Sequence, residues 1–274
     1  MRRATGRAIL AVALLSACQK PAAEKSGATV QAGAMTAATT PATTPAAAPE
    51  GRARKVRIQN ALFDFDYAYP VQAGHIPALK AWLDADLAKS RAELERSARD
   101  GQADAKAAGD PFTPYASDTA WQVVADLPSW LSLSATVSDF AGGAHPSHGY
   151  TALVWDKAAG QRLGPGDLFV SKAALSQAIR GPFCDALDKQ RAKRRGAPVN
   201  RASGDAFDQC IDPVGSTLIL GSAGHQAFDR IGVLVGPYEA GPYAEGDYDI
   251  TLPVTPAVLA AVKPQYRKGF ALER

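Results

Sequence analysis

Two histidines, His145 and His148, have the residue type and spacing that come nearest to a reactive site. They form an H-x-x-H pair in the glycine- and proline-rich stretch 142–149. A catalytic zinc is commonly held by three protein side chains and a water molecule, and neutral imidazoles are good ligands for it. His225 or Asp139 could supply the third ligand, although neither lies at a spacing that specifies zinc. A metal-dependent hydrolase acting on cell-wall material is therefore the alternative function. We favour a turn shaped by glycines, with no metal.

A second group of candidates lies in the segment 237–246, where tyrosines alternate with prolines and glycines. Tyr238, Glu239 and Tyr243 are candidate binding residues, because tyrosine offers a rigid apolar face with a polar tip. The same prolines and glycines also fit a plain connection between strands. The chain has no G-x-S-x-G motif. We therefore assign no catalytic residue and no cofactor, and favour a protein that is not an enzyme.

Cys18 is the most informative of the three cysteines. It follows a basic start, a short apolar run and Leu15-Ser16-Ala17, an order typical of a bacterial lipoprotein signal peptide. We therefore predict a signal peptide at residues 1–17 and a Cys18 that carries acyl chains such as palmitate. Gln19, rather than an aspartate, follows Cys18. By the sorting rule for such lipoproteins, the protein would be anchored in the outer membrane and face the periplasm.

The other two cysteines, Cys184 and Cys210, are left as a pair in a chain predicted to be exported. Such a pair predicts a disulfide bond. Closing a loop of this length would stabilise the fold by about 3 to 4 kcal/mol in the chain-entropy description. Two free thiols are the alternative, and the absence of a C-x-x-C motif argues against redox catalysis.

Charge limits the choice of partner. The formal net charge of +3 disappears when the three arginines of the signal peptide are removed. A neutral chain argues against nucleic acid, which needs a basic excess. The membrane is expected as a partner only through the lipid anchor. The basic run 189–195 is expected to be a solvated end of a helix.

The secondary-structure pattern indicates how these residues are positioned. Residues 18–54, rich in Ala, Thr and Pro, are expected to be an extended tether ahead of a body at 55–274. Period-two alternation at 63–67 and 131–137 predicts strands. A helix is expected from about His75 to Asp100-Gly101, and a second one after Ser171 is expected to kink or split at Gly181-Pro182. The fold class is therefore α+β, with packed helices on an antiparallel sheet.

The order of motifs in the body resembles a known pair of adjoining domains of unknown function. These occur in the extracytoplasmic part of the lysozyme-sensing anti-sigma factor RsiV and in the N-terminal part of the peptidoglycan deacetylase PdaC. The matching pieces are Phe63 to Pro70 with its helix, Ser132 to Pro146, Trp155 to Gly160, Gly166 to Phe169 and Val235 to Gly246.

The resemblance implies an RsiV-like body with an N-terminal part at about 55–130 and a C-terminal part at about 131–265. It also implies a binding or sensing module for a protein, possibly a lysozyme-like one, or for a peptidoglycan-related ligand. The catalytic domain of the deacetylase has no counterpart here, so we expect binding rather than hydrolysis.

Overall fold

The computed structural model describes residues 51–273, which combine helices with mostly antiparallel sheets. The expected α+β class is therefore confirmed. The predicted signal peptide, Cys18 and nearly all of the predicted tether lie outside the described residues. The division of the body near residue 130 stays a prediction.

Two sheets form the framework. The first has six strands in chain order, and the second has three. All neighbouring strands are antiparallel except the second and third, which are parallel. The strands are β1 Arg54–Gln59, β2 Phe63–Tyr69, β3 Tyr115–Asp126, β4 Trp130–Phe140, β5 Ser147–Asp156, β6 Gln161–Leu163, β7 Thr217–Gly221, β8 Arg230–Val235 and β9 Tyr248–Pro253.

Within residues 51–273, four α-helices and several short 3-10 turns accompany the sheets. The helices are α1 Val71–Gly74, α2 Pro77–Ala108, α3 Lys172–Arg195 and α4 Pro256–Ala261. A parallel pair of strands needs a crossover connection, and α2 supplies the one between β2 and β3. Among residues 51–273, no helix has an apolar stretch of the length that crossing a membrane requires.

Helix α2 is longer than its sequence predicts. It passes through Asp100-Gly101, where we expected it to end, and stops at Gly109 in the left-handed conformation, with a φ of +79°. Gly101 has a packing role: a β-carbon there would lie 2.2 Å from the Tyr115 hydroxyl oxygen. Gly101 therefore leaves room for the Tyr115 side chain of β3 beside α2, and the helix does not end at this glycine.

Helix α3 begins as expected, after Ser171, and extends to Arg195. The Ser171 hydroxyl accepts a hydrogen bond from the Ala174 N–H at 3.0 Å, which caps the helix. Pro182 lies inside α3 and does not split it. Cys184 on this helix forms a disulfide with Cys210, with the two α-carbons 5.5 Å apart. The predicted pairing is thus present in the structure.

Two apolar clusters form the core. One packs the apolar stripe of α2, including Leu79, Leu83 and Leu87, against the first sheet. The other joins the second sheet to α3, α4 and Val154 of β5. Strand β7 lies against β3, β4 and β5, so the second sheet is held close to the strand that carries His148.

Candidate binding site

Strand β5 and the loop before it place both histidines. The strand begins at Ser147, so His148 lies on a strand and not in the glycine–proline loop where the sequence placed it. His145 remains in that loop. Tyr150 follows His148 by two residues, so the two side chains project from the same face of β5. That face turns towards the segment between β8 and β9, which carries the candidate tyrosines.

The two candidate segments meet around one tyrosine, Tyr243. The His145 ring stacks on it with centroids 4.1 Å apart and an angle of 22° between the planes. His148 approaches its edge at 6.3 Å, and Tyr238 lies 5.7 Å away. We call the group formed by His145, His148, Tyr150, Tyr238, Tyr243 and Asp247 the tyrosine–histidine cluster.

Hydrogen bonds hold the cluster together across long sequence separations. The Asp247 carboxylate lies 2.9 Å from His148 Nε2 and accepts a 2.6 Å hydrogen bond from the Tyr150 hydroxyl. Burial, reinforced by the hydrogen bond to Asp247, raises the pKa of Tyr150 far above its ordinary value. The phenol therefore stays protonated and keeps donating to the carboxylate. The Tyr243 hydroxyl donates to the Pro146 carbonyl at 3.3 Å, which joins the two segments a second time.

The C-terminal end of α3 supports the cluster from behind. Arg194 donates to the backbone carbonyls of Glu245 and Asp247, and its guanidinium lies 4.0 Å above the Tyr248 ring. Arg195 makes two hydrogen bonds to the Glu245 carboxylate, at 2.8 and 3.1 Å. Within the basic run at the end of α3, Arg194 and Arg195 are thus engaged with the loop beside β9, whereas Lys189 and Lys193 are exposed. The expectation of a solvated helix end therefore holds for these lysines and not for these arginines.

Arg191 has the most buried position in that run, with none of its side chain exposed. Its Nε donates to the Ala240 carbonyl and its Nη1 to the Gln209 carbonyl, both at 2.9 Å. Gln209 precedes Cys210, so the disulfide restrains the same segment. Charge-assisted bonds of this kind fix the loop 236–247 before any ligand arrives.

Tyr238 faces solvent, with 58% of the residue exposed, and His145 of the same cluster is exposed as well. Its backbone φ is +66°, a conformation that residues with a side chain seldom adopt. Glu239, the next residue, makes hydrogen bonds within the turn. Its carboxylate accepts hydrogen bonds from the Ser216 hydroxyl and the Gly236 N–H and so holds the turn together, while the residue stays exposed.

The contacts of the two histidines bear on the metal interpretation. His145 Nδ1 lies 2.9 Å from the Pro146 carbonyl oxygen, and His148 Nε2 faces Asp247. Across residues 51–273, no group of three or more His, Cys, Asp or Glu side chains is arranged to hold a metal ion. The arrangement offers stacked aromatic faces and polar tips, which suit recognition of another molecule.

Sequence reasoning missed Tyr150, Asp247 and the arginines of α3. Tyr150 could have been found, because a period of two places it on the same face of β5 as His148. Asp247 lies 99 positions from His148, and nothing in its neighbourhood marks it as a partner. Cys18 lies outside the described residues.

Comparisons with known proteins agree with the motif order. Residues 56–148 match the family model described as "Deacetylase PdaC". No curated protein matches the sequence.

The chain also matches solved structures, two of which belong to one family of unknown function. A DUF3298 family member from Bacteroides fragilis NCTC 9343 has 14% identity and a TM-score of 0.49, covering 80% of this chain and 97% of its own. A DUF3298 family protein from Pseudomonas aeruginosa PAO1 has 17% identity and a TM-score of 0.44, covering 82% and 96%. The expected resemblance to the PdaC and RsiV type of domain is confirmed, with the family match itself extending over residues 56–148.

Proposed function

We propose that the body is a non-catalytic binding module of the cell envelope, and that it recognises a partner protein through the tyrosine–histidine cluster. The match to the PdaC family supports the link to the cell wall. The lipoprotein-like segment ending at Cys18 supports attachment to a membrane, here proposed to be the outer membrane facing the periplasm.

The observation that carries the proposal is the convergence of two distant loops on Tyr243, with Tyr238 exposed beside it. Binding energy at protein interfaces is concentrated in a few residues, among which tyrosine is enriched. A tyrosine on a rigid support loses little entropy when it is covered, so more of its contact energy appears as affinity. The bonds from Arg191, Arg194 and Arg195 supply that support.

The metal-dependent hydrolase finds less support in the same geometry. A catalytic zinc site needs about three converging ligands with an open position for water. His148 is directed at Asp247, and His145 is stacked on Tyr243. Each imidazole keeps one ring nitrogen without such a contact, but within residues 51–273 no third ligand is arranged to complete a metal site with them.

The proposal is tested by measuring binding to the purified full-length protein with three probes: lysozyme, a periplasmic protein extract and insoluble peptidoglycan. We expect a protein to be retained by the wild type. We expect its affinity to fall about tenfold or more in Tyr243→Ala, since a central aromatic side chain is typically worth 2 kcal/mol or more.

The matched control is Leu272→Ala, which removes another exposed apolar side chain outside the cluster. It should bind like the wild type. If the protein retains only peptidoglycan, its ligand is a component of the cell wall and not a partner protein. Equal protein binding by Tyr243→Ala, with an unchanged circular dichroism spectrum, would remove the cluster as the recognition surface.

A further inference from the structure

The outer edge of the first sheet, at β1, is long and open. Strand β1 has six residues in unbroken register with β2, from Arg54 opposite Tyr69 to Gln59 opposite Asp64. It has no neighbouring strand on its other side within residues 51–273. Proteins commonly use prolines or bulges to keep an edge strand from pairing with another chain, and β1 contains neither. Its edge is therefore able to accept a further strand.

The other sheet edges are short or in contact with neighbouring elements. Strand β6, at the far side of the first sheet, has only three residues. In the second sheet, β7 lies against β3, β4 and β5, and the Thr217 hydroxyl donates to the Tyr150 carbonyl. At β9, the Asp249 carbonyl accepts a hydrogen bond from the Gln190 side chain of α3 at 2.7 Å. Among the described residues, β1 is the edge that combines length with free backbone groups.

The hairpin between β1 and β2 determines which backbone groups of β1 point outward. The Asn60 N–H donates to the Phe63 carbonyl at 3.1 Å, which closes the hairpin. In an antiparallel pair, residues bonded to the partner strand alternate with residues whose N–H and C=O point away from it. Counting back from Asn60, the outward set is Lys55, Arg57 and Gln59. Within residues 51–273, no backbone hydrogen bond joins this set to another element.

The two faces of β1 determine the chemistry of an added strand. Lys55 and Arg57 project from one face and are exposed, and the nearest acid of Arg57 is Asp66 of β2 at 3.6 Å. A strand beside β1 would lie next to both cations, so acidic side chains are favoured there. On the other face, Val56 and Ile58 are half-buried at the margin of the apolar core beneath α2. Apolar side chains next to them would complete their burial.

We infer that the β1 edge binds an extended segment of a partner protein in which acidic and apolar residues alternate. The segment would add one strand to the first sheet, with its backbone paired to the outward groups of Lys55, Arg57 and Gln59. The inference goes beyond the proposed function and uses no residue of the tyrosine–histidine cluster. Strands β1 and β5 are four spacings apart in the sheet, roughly 19 Å, so the two surfaces do not overlap.

Other occupants fit this edge less well. Antiparallel pairing with the β1 edge of a second copy would bring Lys55 and Arg57 close to the same cations of that copy. Like charges on adjacent strands are destabilising. Residues 34–49 of the same chain consist almost entirely of Ala, Thr and Pro and contain no acidic residue. Their prolines also lack the N–H that a strand ladder needs.

The test uses the purified full-length protein and a labelled hexapeptide that alternates glutamate and valine, with binding followed by fluorescence anisotropy. We expect the wild type to bind this peptide, and to bind a lysine–valine hexapeptide about tenfold more weakly or less. Lys55→Glu/Arg57→Glu should reverse this preference. The matched control Lys189→Glu/Lys193→Glu makes the same change of charge on exposed lysines of α3 and should retain it.

Amide hydrogen exchange distinguishes strand addition from plain charge attraction. The glutamate–valine peptide should slow exchange at Lys55, Arg57 and Gln59, because their N–H groups gain partners. Exchange at Val56 and Ile58 should change little, because these amides already bond to β2. Arg57→Pro removes one outward N–H and no bond to β2, as an edge strand tolerates. It should weaken binding several-fold while the circular dichroism spectrum stays unchanged.

Several results would overturn the inference. These are no detectable binding of the glutamate–valine peptide, equal affinity for the lysine–valine peptide, an unchanged preference in Lys55→Glu/Arg57→Glu, and protection that does not alternate along β1. Sedimentation of the free protein as a dimer that the peptide dissociates would also overturn it, because a second copy would then occupy the edge.

Discussion

At the scale of single residues, Tyr238 has a backbone φ of +66° and a side chain that is largely exposed. The left-handed conformation costs a residue with a β-carbon about 1 to 2 kcal/mol. Such strain persists where the surrounding structure imposes it, and it concentrates at functional positions. Here the turn is held by the bonds of Glu239 to Gly236 and Ser216. The conformation directs an aromatic ring towards solvent beside Tyr243.

This strain can be measured by comparing two variants that both remove the ring. Tyr238→Gly should be more stable than Tyr238→Ala by about 1 kcal/mol, because glycine adopts positive φ without steric cost. Both variants should lose affinity for the partner protein to the same extent. Urea denaturation gives the stability difference. An alanine variant as stable as the glycine variant would mean that the backbone at 238 is relaxed.

The sequence identified the residues of the cluster that have a distinctive local setting and missed those that depend on the fold. His148 was found from the H-x-x-H pair, and Tyr243 from its proline–glycine segment. Asp247 could not be found, because its contact with His148 exists only after β5 and the loop before β9 come together. Glu239 was predicted as a binding residue because it belongs to the same tyrosine-rich segment, and its partners Ser216 and Gly236 became visible only in the structure.

At the scale of elements, the C-terminal end of α3 fixes the position of the tyrosine–histidine cluster. Arg195 is shared between Glu245 and Asp208, so one side chain connects the segments before β7 and β9 to the helix. The charge pattern alone resembles a solvated face, because a sequence does not reveal which charges meet tertiary partners. Likewise, the sequence Asp100-Gly101 is typical of a helix end, and only the structure shows that Gly101 makes room for Tyr115.

The pair between Glu245 and Arg195 makes the stability of this region depend on pH. Burial opposes ionisation of Glu245, but hydrogen bonds from Arg195 and Tyr248 outweigh it and lower the pKa of the carboxyl. A carboxyl with a lowered pKa contributes its stability above its unfolded pKa of about 4.5, and loses it as the pH falls through the folded pKa. We therefore expect the free energy of unfolding of the wild type to fall relative to Glu245→Gln below about pH 4.5.

Denaturant titrations at pH 7 and in steps below pH 5 measure this difference. At pH 7 the wild type should exceed Glu245→Gln by about 1 to 3 kcal/mol, as expected for a hydrogen-bonded charged group. Asp205→Asn is the matched control: the Asp205 carboxylate caps a short 3-10 turn and forms no ion pair with any residue of the described part, 51–273. A gap between wild type and Glu245→Gln that does not change with pH would contradict the argument.

At the scale of the whole molecule, the α+β class follows from alternating strands and amphipathic helices, and the structure confirms it. The parallel pairing of β2 with β3 was not anticipated. It could have been, because a strand, a long helix and a second strand in succession are typical of a crossover. The close approach of β7 to β3, β4 and β5 has no local signature, so the second sheet could not be placed in advance.

The proposed membrane attachment is tested on the intact protein. Cys18→Ser removes the thiol that would carry the acyl chains, and should move the protein from the membrane fraction to the soluble fraction. Fractionation with immunoblotting measures this shift, and metabolic labelling with a palmitate analogue should mark only the wild type. The double variant Cys184→Ser/Cys210→Ser should remain in the membrane fraction. Retention of Cys18→Ser with the membrane would contradict the anchor.

The order of strands in the first sheet affects the order in which the parts of the protein can fold during synthesis. Because β1 to β6 pair in chain order, a chain that emerges from its amino end can add each strand to the one before it. The first sheet is then complete once β6 has joined. The tyrosine–histidine cluster can form only after the segment from Tyr238 to Asp247 has been synthesised, nearly a hundred residues after His145. The first sheet would therefore form before the tyrosine–histidine cluster, and a chain truncated after β6 would carry the sheet but no cluster.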